Sequence, residues 1–230
     1  MLKIDNFTNK IISKISFEID DKNLIILGSN GAGKTTLAKV LSGIISSDEV
    51  SINNENPSKI YGKSKTKLIN YIPSKLDIFD EFMSVEEFLS LSNLHSSFTI
   101  DEVLEILDIS YLLNQPCKNL SSGESQLVLL GSAILHNSLY TILDEPTSNL
   151  DPKRVKKVFQ ILNNKRFFKN KIIITHNLDL AYKLGYDILF LEDGEVVFND
   201  TNKTFFDGEN LKRFFDNSVK KIENSIVVSL

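Results

Sequence analysis

Gly28-Ser29-Asn30-Gly31-Ala32-Gly33-Lys34-Thr35-Thr36 matches the pattern G-x-x-x-x-G-K-[ST]. Leu24-Ile25-Ile26-Leu27 precedes it as a short apolar run, which reads as a buried strand. Leu37-Ala38-Lys39-Val40-Leu41 follows and reads as a helix. A strand, a glycine-rich turn and a helix start form a phosphate cradle. Glycine permits backbone turns that a Cβ would block, and the freed N–H groups and the helix dipole face an anion. Lys34 is expected to reach the β/γ-phosphates and Thr35 to place its hydroxyl on Mg²⁺. The stretch predicts binding of a nucleoside triphosphate.

Around it, 230 residues suit one α/β domain, and an apolar share of 42% suits a full core. A net charge of −4 gives no nucleic-acid signature. The Lys/Arg-rich run from Lys153 to Lys171 reads as a solvated helix face. One cysteine, Cys117, excludes an internal disulfide, and His95, His136 and His176 show no metal-ligand spacing. No apolar run reaches bilayer length, and Met1-Leu2-Lys3-Ile4-Asp5 lacks the core of a signal peptide. The expectation is a soluble, intracellular chain.

Ile15–Ile19 alternates and reads as a half-exposed strand, and Val50–Ile52 and Ile69–Pro73 read as further strands. From Ser84 to about Leu113 the period becomes helical. Ser84-Val85-Glu86-Glu87 and Thr99-Ile100-Asp101-Glu102 both carry the capping-box pattern, which predicts two short helices. A third helix is expected after Gly123, with Leu127, Leu130, Ile134 and Leu135 on its apolar face. Tyr140–Leu143 and Lys171–Ile174 read as buried parallel strands. Asp151-Pro152 between them reads as a helix start. Asp187–Leu191 and Glu195–Phe198 flank an Asp-Gly turn and predict a hairpin. The tail from Asn210 to Leu230 is expected to hold a helix and a short strand. The whole reads as a parallel-sheet nucleotide core, 1–73 and 138–230, interrupted by a helical insertion at 74–137.

Asp144 and Glu145 close the strand at Tyr140–Leu143, at the end where α/β sheets bind ligands. Asp144 fits a Mg²⁺ ligand, and Glu145 is placed to polarise an attacking water. With these residues together, the chain resembles the ATP-binding subunit of an ABC transporter. Leu120-Ser121-Ser122-Gly123-Glu124 resembles the signature L-S-G-G-Q. Pro146-Thr147-Ser148-Asn149-Leu150-Asp151 resembles the run from Walker B into the D-loop, and Thr175-His176-Asn177 the switch histidine. These segments occur in the family's order and span nearly the whole chain. Asn202-Lys203-Thr204-Phe205 fails the N-K-x-D guanine motif, which argues against a GTPase.

The resemblance implies an α/β P-loop NTPase of the RecA-like type, with an antiparallel β subdomain and an inserted α-helical subdomain. It implies ATP and Mg²⁺, with Glu145 and His176 as catalytic residues and Thr35, Asp144 and Ser74 at the metal. Gly28 to Thr36, Ser121, Ser122, Gly123 and Asp151 would hold nucleotide. Two copies would sandwich two ATP molecules head to tail, with Ser121 on the partner's γ-phosphate. The implied partners are a second nucleotide-binding subunit, permease subunits and a substrate-binding protein, with no nucleic acid. The implied place is the cytoplasm, peripheral on the inner face of the cell membrane through the permease. Ser125–Leu129 and Glu209–Phe215 resemble importers of iron chelates, haem or vitamin B12. The alternatives are a soluble ABC ATPase outside transport and a nucleotide sensor with little hydrolysis.

Three departures stand out. Ser74 occupies the place of the family's usual Gln. Ser122 and Glu124 replace a Gly and the Gln of the signature. No aromatic for stacking on adenine is evident near Phe7 to Ile11. Of Phe79, Phe82, Met83, Phe88 and Leu89, most are expected in the insertion's own core. The rest are expected to line a groove for a helix of the permease.

Overall fold

The computed structural model describes residues 1–228, so the end of the expected tail strand, at Ser229 and Leu230, lies outside the described residues. The chain divides into two compact units: Met1–Lys59 with the segment from Ile172 onward, and Ile60–Lys171.

The first unit opens with β1 (Leu2–Phe7), β2 (Ile15–Ile19), β3 (Leu24–Gly28), α1 (Lys34–Leu41) and β4 (Val50–Ile52). β1 pairs antiparallel with both β2 and β4. In β2 the alternation seen in the sequence becomes a strict alternation of buried and exposed residues. β3, apolar throughout, is buried throughout, as expected for a strand covered on both faces.

The second unit contains α2 (Gly62–Leu68), β5 (Ile69–Ile72), α3 (Val85–Ser92), α4 (Ile100–Ile106), α5 (Ser122–His136), β6 (Tyr140–Asp144) and α6 (Pro152–Asn163). β5 and β6 pair in parallel, with Ile72 opposite Leu143. Between Pro73 and Leu139 the described chain holds helices and turns and no named strand. Both capping boxes form: Ser84 and Thr99 each accept the N–H three residues on, and Glu87 and Glu102 reach back. α5 is the core of this unit, and every residue from Gln126 to Leu135 is buried.

The chain then returns through β7 (Asn170–Ile174), α7 (Leu178–Leu184), β8 (Asp187–Glu192), β9 (Glu195–Asp200), α8 (Asn202–Phe205), α9 (Gly208–Phe215), β10 (Val219–Ile222) and β11 (Ser225–Val228). β3 is flanked by β7 and β8, both parallel to it. β8 and β9 form the expected hairpin, turning at Asp193 and Gly194, both with positive φ. Phe190, Phe198, Phe205 and Phe214 pack ring to ring beneath it. No helix among the described residues is long and apolar enough to cross a membrane.

Several expectations are corrected. β1, α2, α7 and α8 are additional elements. α5 starts at Ser122, one residue before Gly123, because Ser121 and Glu124 build a third capping box. The tail holds α9 and a two-stranded hairpin, β10 with β11, where one strand was expected. Lys171 is not solvated: it lies in β7 at 1% exposure, and burial pushes its pKa down to about 8. Of the five apolar side chains near the start of the insertion, only Leu89 is buried. Phe79 and Phe82 are 95% and 85% exposed.

Candidate nucleotide site

The loop from Gly28 to Gly33 connects β3 to α1. Gly28 has φ 157°, and a Cβ there would lie 2.4 Å from the Leu191 carbonyl oxygen, so the strand end admits no side chain. Gly31 (φ 86°) faces open space, and Gly33 (φ 97°) is the N-cap of α1. Lys34 turns back over the loop. Its Nζ donates to the carbonyls of Gly28 (2.8 Å) and Ser29 (2.9 Å), and the side chain is buried.

No side chain caps α1. None caps the exposed α2 either, whereas every helix from α3 to α9 is capped by a Ser, Thr, Asp or Asn side chain. The first N–H groups of a helix need acceptors. An uncapped N-terminus below a glycine loop, with an ammonium buried in it, fits an anion such as a triphosphate. β7 runs beside β3 with Ile174 opposite Ile26. Gly28 and His176 therefore both lie two residues past the same rung, and the exposed His176 leaves the sheet at the loop's end. Asn177 then caps α7.

In the second unit the two carboxylates sit at the end of β6. Asp144 is buried, and the Tyr71 hydroxyl on β5 donates to its Oδ2 at 3.1 Å. Burial and the Asp144 charge push the Tyr71 pKa well above the usual range. Glu145 adopts φ 49°, a left-handed conformation uncommon for a residue with a side chain. Its carbonyl accepts from Gln126 Nε2 on α5 at 3.1 Å. Ser74 lies two residues past Ile72 on β5, as Glu145 lies two past Leu143 on β6, so both leave that strand pair at one end.

The residues expected around Ser121 and Asp151 also come together in this unit. Ser121 and Ser122 are exposed, and Gly123 is buried. A Cβ on Gly123 would lie 3.0 Å from Arg154 Nη1 and 3.1 Å from the Asn149 carbonyl oxygen. Asp151 is the N-cap of α6, accepting the N–H groups of Lys153 (2.9 Å) and Arg154 (3.0 Å). The hard oxygen donors Thr35 and Asp144 have the chemistry Mg²⁺ takes, together with phosphate and water. No group of three or more His, Cys, Asp or Glu side chains able to hold a metal occurs among the described residues.

A family model described as ABC transporter matches residues 12–148. The chain belongs to the ABC transporter family, as an ATP-binding subunit. It is 33% identical over 218 residues to the phosphonates import ATP-binding protein PhnC of Fusobacterium nucleatum, a match covering 85% of this chain and 88% of that protein. It is 29% identical over 252 residues to a probable iron chelatin transport ATP-binding protein of Helicobacter pylori, covering 99% and 98%. Among solved structures, a dimeric ATP-binding cassette in a post-hydrolysis state with ADP and Pi shares the fold. Its TM-score is 0.74 at 21% identity, over 88% of this chain and 99% of that one.

In this ABC subunit two departures find physical reasons. Ser122 is tolerated in place of glycine because its backbone is not left-handed. Glu124 still closes a capping box. Tyr71 and Gln126, whose side chains bond to the Asp144 carboxylate and the Glu145 carbonyl, have no mark in the sequence, since only the folded packing brings them there. The third capping box was legible in Ser121-Ser122-Gly123-Glu124 and was not read. Beside Gly33 the chain presents Ile11 and Ile12: a Cβ on Gly33 would lie 3.4 Å and 3.1 Å from their side chains. Ile11 is 53% exposed, an apolar surface where no aromatic was found.

Proposed function

We propose that this chain hydrolyses Mg-ATP in a head-to-tail pair of copies and drives import through separate permease subunits. The observation that carries the reading is the glycine loop between β3 and α1, with the buried Lys34 ammonium held over it by the Gly28 and Ser29 carbonyls. Lys34 neutralises charge on the β/γ-phosphates. Bound Mg²⁺ would neutralise phosphate charge, with Thr35 and Asp144 as its protein ligands and Ser74 as a shorter contact than the family's Gln. Glu145 orients and polarises the attacking water, and His176 contacts the γ-phosphate. Ser121, Ser122 and Gly123 address the partner copy's ATP, Asp151 communicates across the pair, and Ile11 offers apolar surface to the base.

The cargo reading is an iron chelate or a related chelate. Its support is the iron chelatin relative, which aligns almost end to end with this chain. The exposed Phe79 and Phe82 supply apolar surface for docking an amphipathic permease helix. The test is ATP turnover by the purified chain with and without Mg²⁺, then uptake by vesicles carrying the candidate chelate permease. Lys34→Ala is expected to abolish productive ATP binding and both activities. Turnover at the parent rate in that variant would remove the phosphate-loop assignment. Turnover that no permease alters would favour a soluble ABC ATPase, and binding without turnover a nucleotide sensor.

A further inference from the structure

Glu124 stands where the signature pattern has Gln, and both of its carboxylate oxygens are engaged. Oε2 accepts the Ser121 N–H at 2.9 Å and the Ser121 hydroxyl at 2.7 Å. Oε1 accepts the Tyr111 hydroxyl at 2.9 Å. Arg154 Nη2 donates to the Tyr111 oxygen at 3.3 Å, and Arg154 Nε lies 3.5 Å from Asp151 Oδ2. A continuous polar chain, Ser121–Glu124–Tyr111–Arg154–Asp151, therefore joins the N-caps of α5 and α6. The guanidinium reaches it over Gly123, where a Cβ would lie 3.0 Å from Arg154 Nη1.

A serine hydroxyl carries one hydrogen. In this structure the Ser121 hydrogen is directed to Glu124, while the Ser121 oxygen accepts the Glu124 N–H at 3.3 Å. A phosphate oxygen reaching Ser121 competes for that same hydrogen. It also meets a like charge at the N-terminus of α5, an interaction that strengthens when a partner surface excludes water.

We propose that Glu124 is a positioning residue that withholds the Ser121 hydroxyl from nucleotide, with Tyr111 and Arg154 setting how strongly it does so. The inference rests on the reading that Ser121 addresses the γ-phosphate of a second copy. Tyr111 and Arg154 draw charge off Glu124, so they weaken its grip on Ser121. They also tie the grip to Asp151, so the starts of α5 and α6 act together. The carboxylate is held below its ordinary pKa range first by the Ser121 hydroxyl and N–H, with Tyr111 and Arg154 adding to this. Glu124 is thus ionised, and the competition is present, at neutral pH.

The test is the Mg-ATP concentration at which the chain dimerises, followed by sizing in the Glu145→Gln background so that hydrolysis does not intervene. Glu124→Gln is expected to lower that concentration about three- to tenfold, the effect of replacing one charge-assisted hydrogen bond by a neutral one. Tyr111→Phe removes one hydroxyl from a residue 58% exposed and is expected to raise the concentration about threefold. In the double variant the effect of Tyr111→Phe should vanish, because its target charge is gone. A purely structural role would leave the Tyr111→Phe shift the same with Glu or Gln at 124, and that outcome overturns the proposal. So does a Glu124→Gln variant that needs as much ATP as its parent, or more. Ser121→Ala separates the two levels. If it leaves ATP-driven dimerisation unchanged, the signature reading fails and this inference with it. If it weakens dimerisation while Glu124→Gln does not strengthen it, only the inference falls.

Discussion

Glu145 occupies a backbone conformation that disfavours a side chain, at a cost of roughly 1–3 kcal/mol for such residues. The surroundings hold it there: its carbonyl accepts from the buried Gln126, and the Ser148 N–H donates to the same oxygen at 3.0 Å. Both contacts use the backbone, so a change of side chain leaves them in place. Glu145→Gln is therefore expected to fold and bind ATP as the parent does, while turnover falls about 10²–10⁴-fold, the usual effect of losing a general base. Nucleotide binding by equilibrium dialysis and phosphate release on the same preparation check this. A matched loss of binding and turnover would reassign Glu145 to nucleotide contact. Tyr71 acts differently, through the Asp144 carboxylate itself. Its role depends on β5 lying beside β6, so no local pattern marks it. The phosphate loop, Asp144, Glu145 and Ser121 were legible as candidates because spacing along the chain defines the motifs in which they stand. Tyr71, Gln126 and Ile11 were not, because only packing across elements does.

At the scale of elements, α3 and α4 announced their starts and irregular strands did not. α3 and α4 begin where a Ser or Thr precedes Glu by three residues, and that chemistry is local. β1 escaped because its register shifts between Ile4 and Phe7 and Asn6 takes a positive φ, which breaks the two-residue alternation. α2 buries no residue and so has no apolar face to read. β10 alternates nothing, with Val219 buried and the next three residues exposed. The end of α5 is another feature that sequence spacing did not show. His136, in its last turn, meets His95 edge to face at 6.1 Å, and its Nδ1 is buried without a hydrogen-bond partner. A cationic His at a helix C-terminus gains up to about 2 kcal/mol from the dipole. Burial outweighs that gain and, with the neighbouring His95, lowers the His136 pKa to about 4. His95, bonded to Thr66 and facing Lys63, Lys67 and Lys169, is lowered too, first by burial. Both groups bind protons more weakly folded than unfolded. Their contribution is complete above the unfolded value near 6.5 and is lost as pH falls toward 4. Urea unfolding midpoints should drop over that window, and His136→Phe should flatten the drop. An equal slope in parent and variant would place the acid sensitivity elsewhere.

In the proposed reading the molecule carries both halves of a composite site on one chain, so its activity is expected to belong to a pair. In the head-to-tail reading, each site takes the phosphate loop of one copy and the signature of the other. Lys34→Ala damages the site a copy builds with its own loop. Ser121→Ala damages the site it completes for its partner. A mixed pair then contains one site with both residues intact and one with both lost, whereas each variant alone contains two singly damaged sites. Hydrolysis should return when the two inactive preparations are mixed, and it should rise with total concentration as pairs form. A site built within one copy would have its Lys34 and Ser121 on the same chain, and mixing would then restore nothing. Heterodimer formation is verified by affinity tags of two kinds on the two variants, with phosphate release measured on the doubly purified material. Recovery there places Ser121 on the partner's nucleotide. A heterodimer no more active than its parents overturns the head-to-tail arrangement, because no intact composite site would then exist in it.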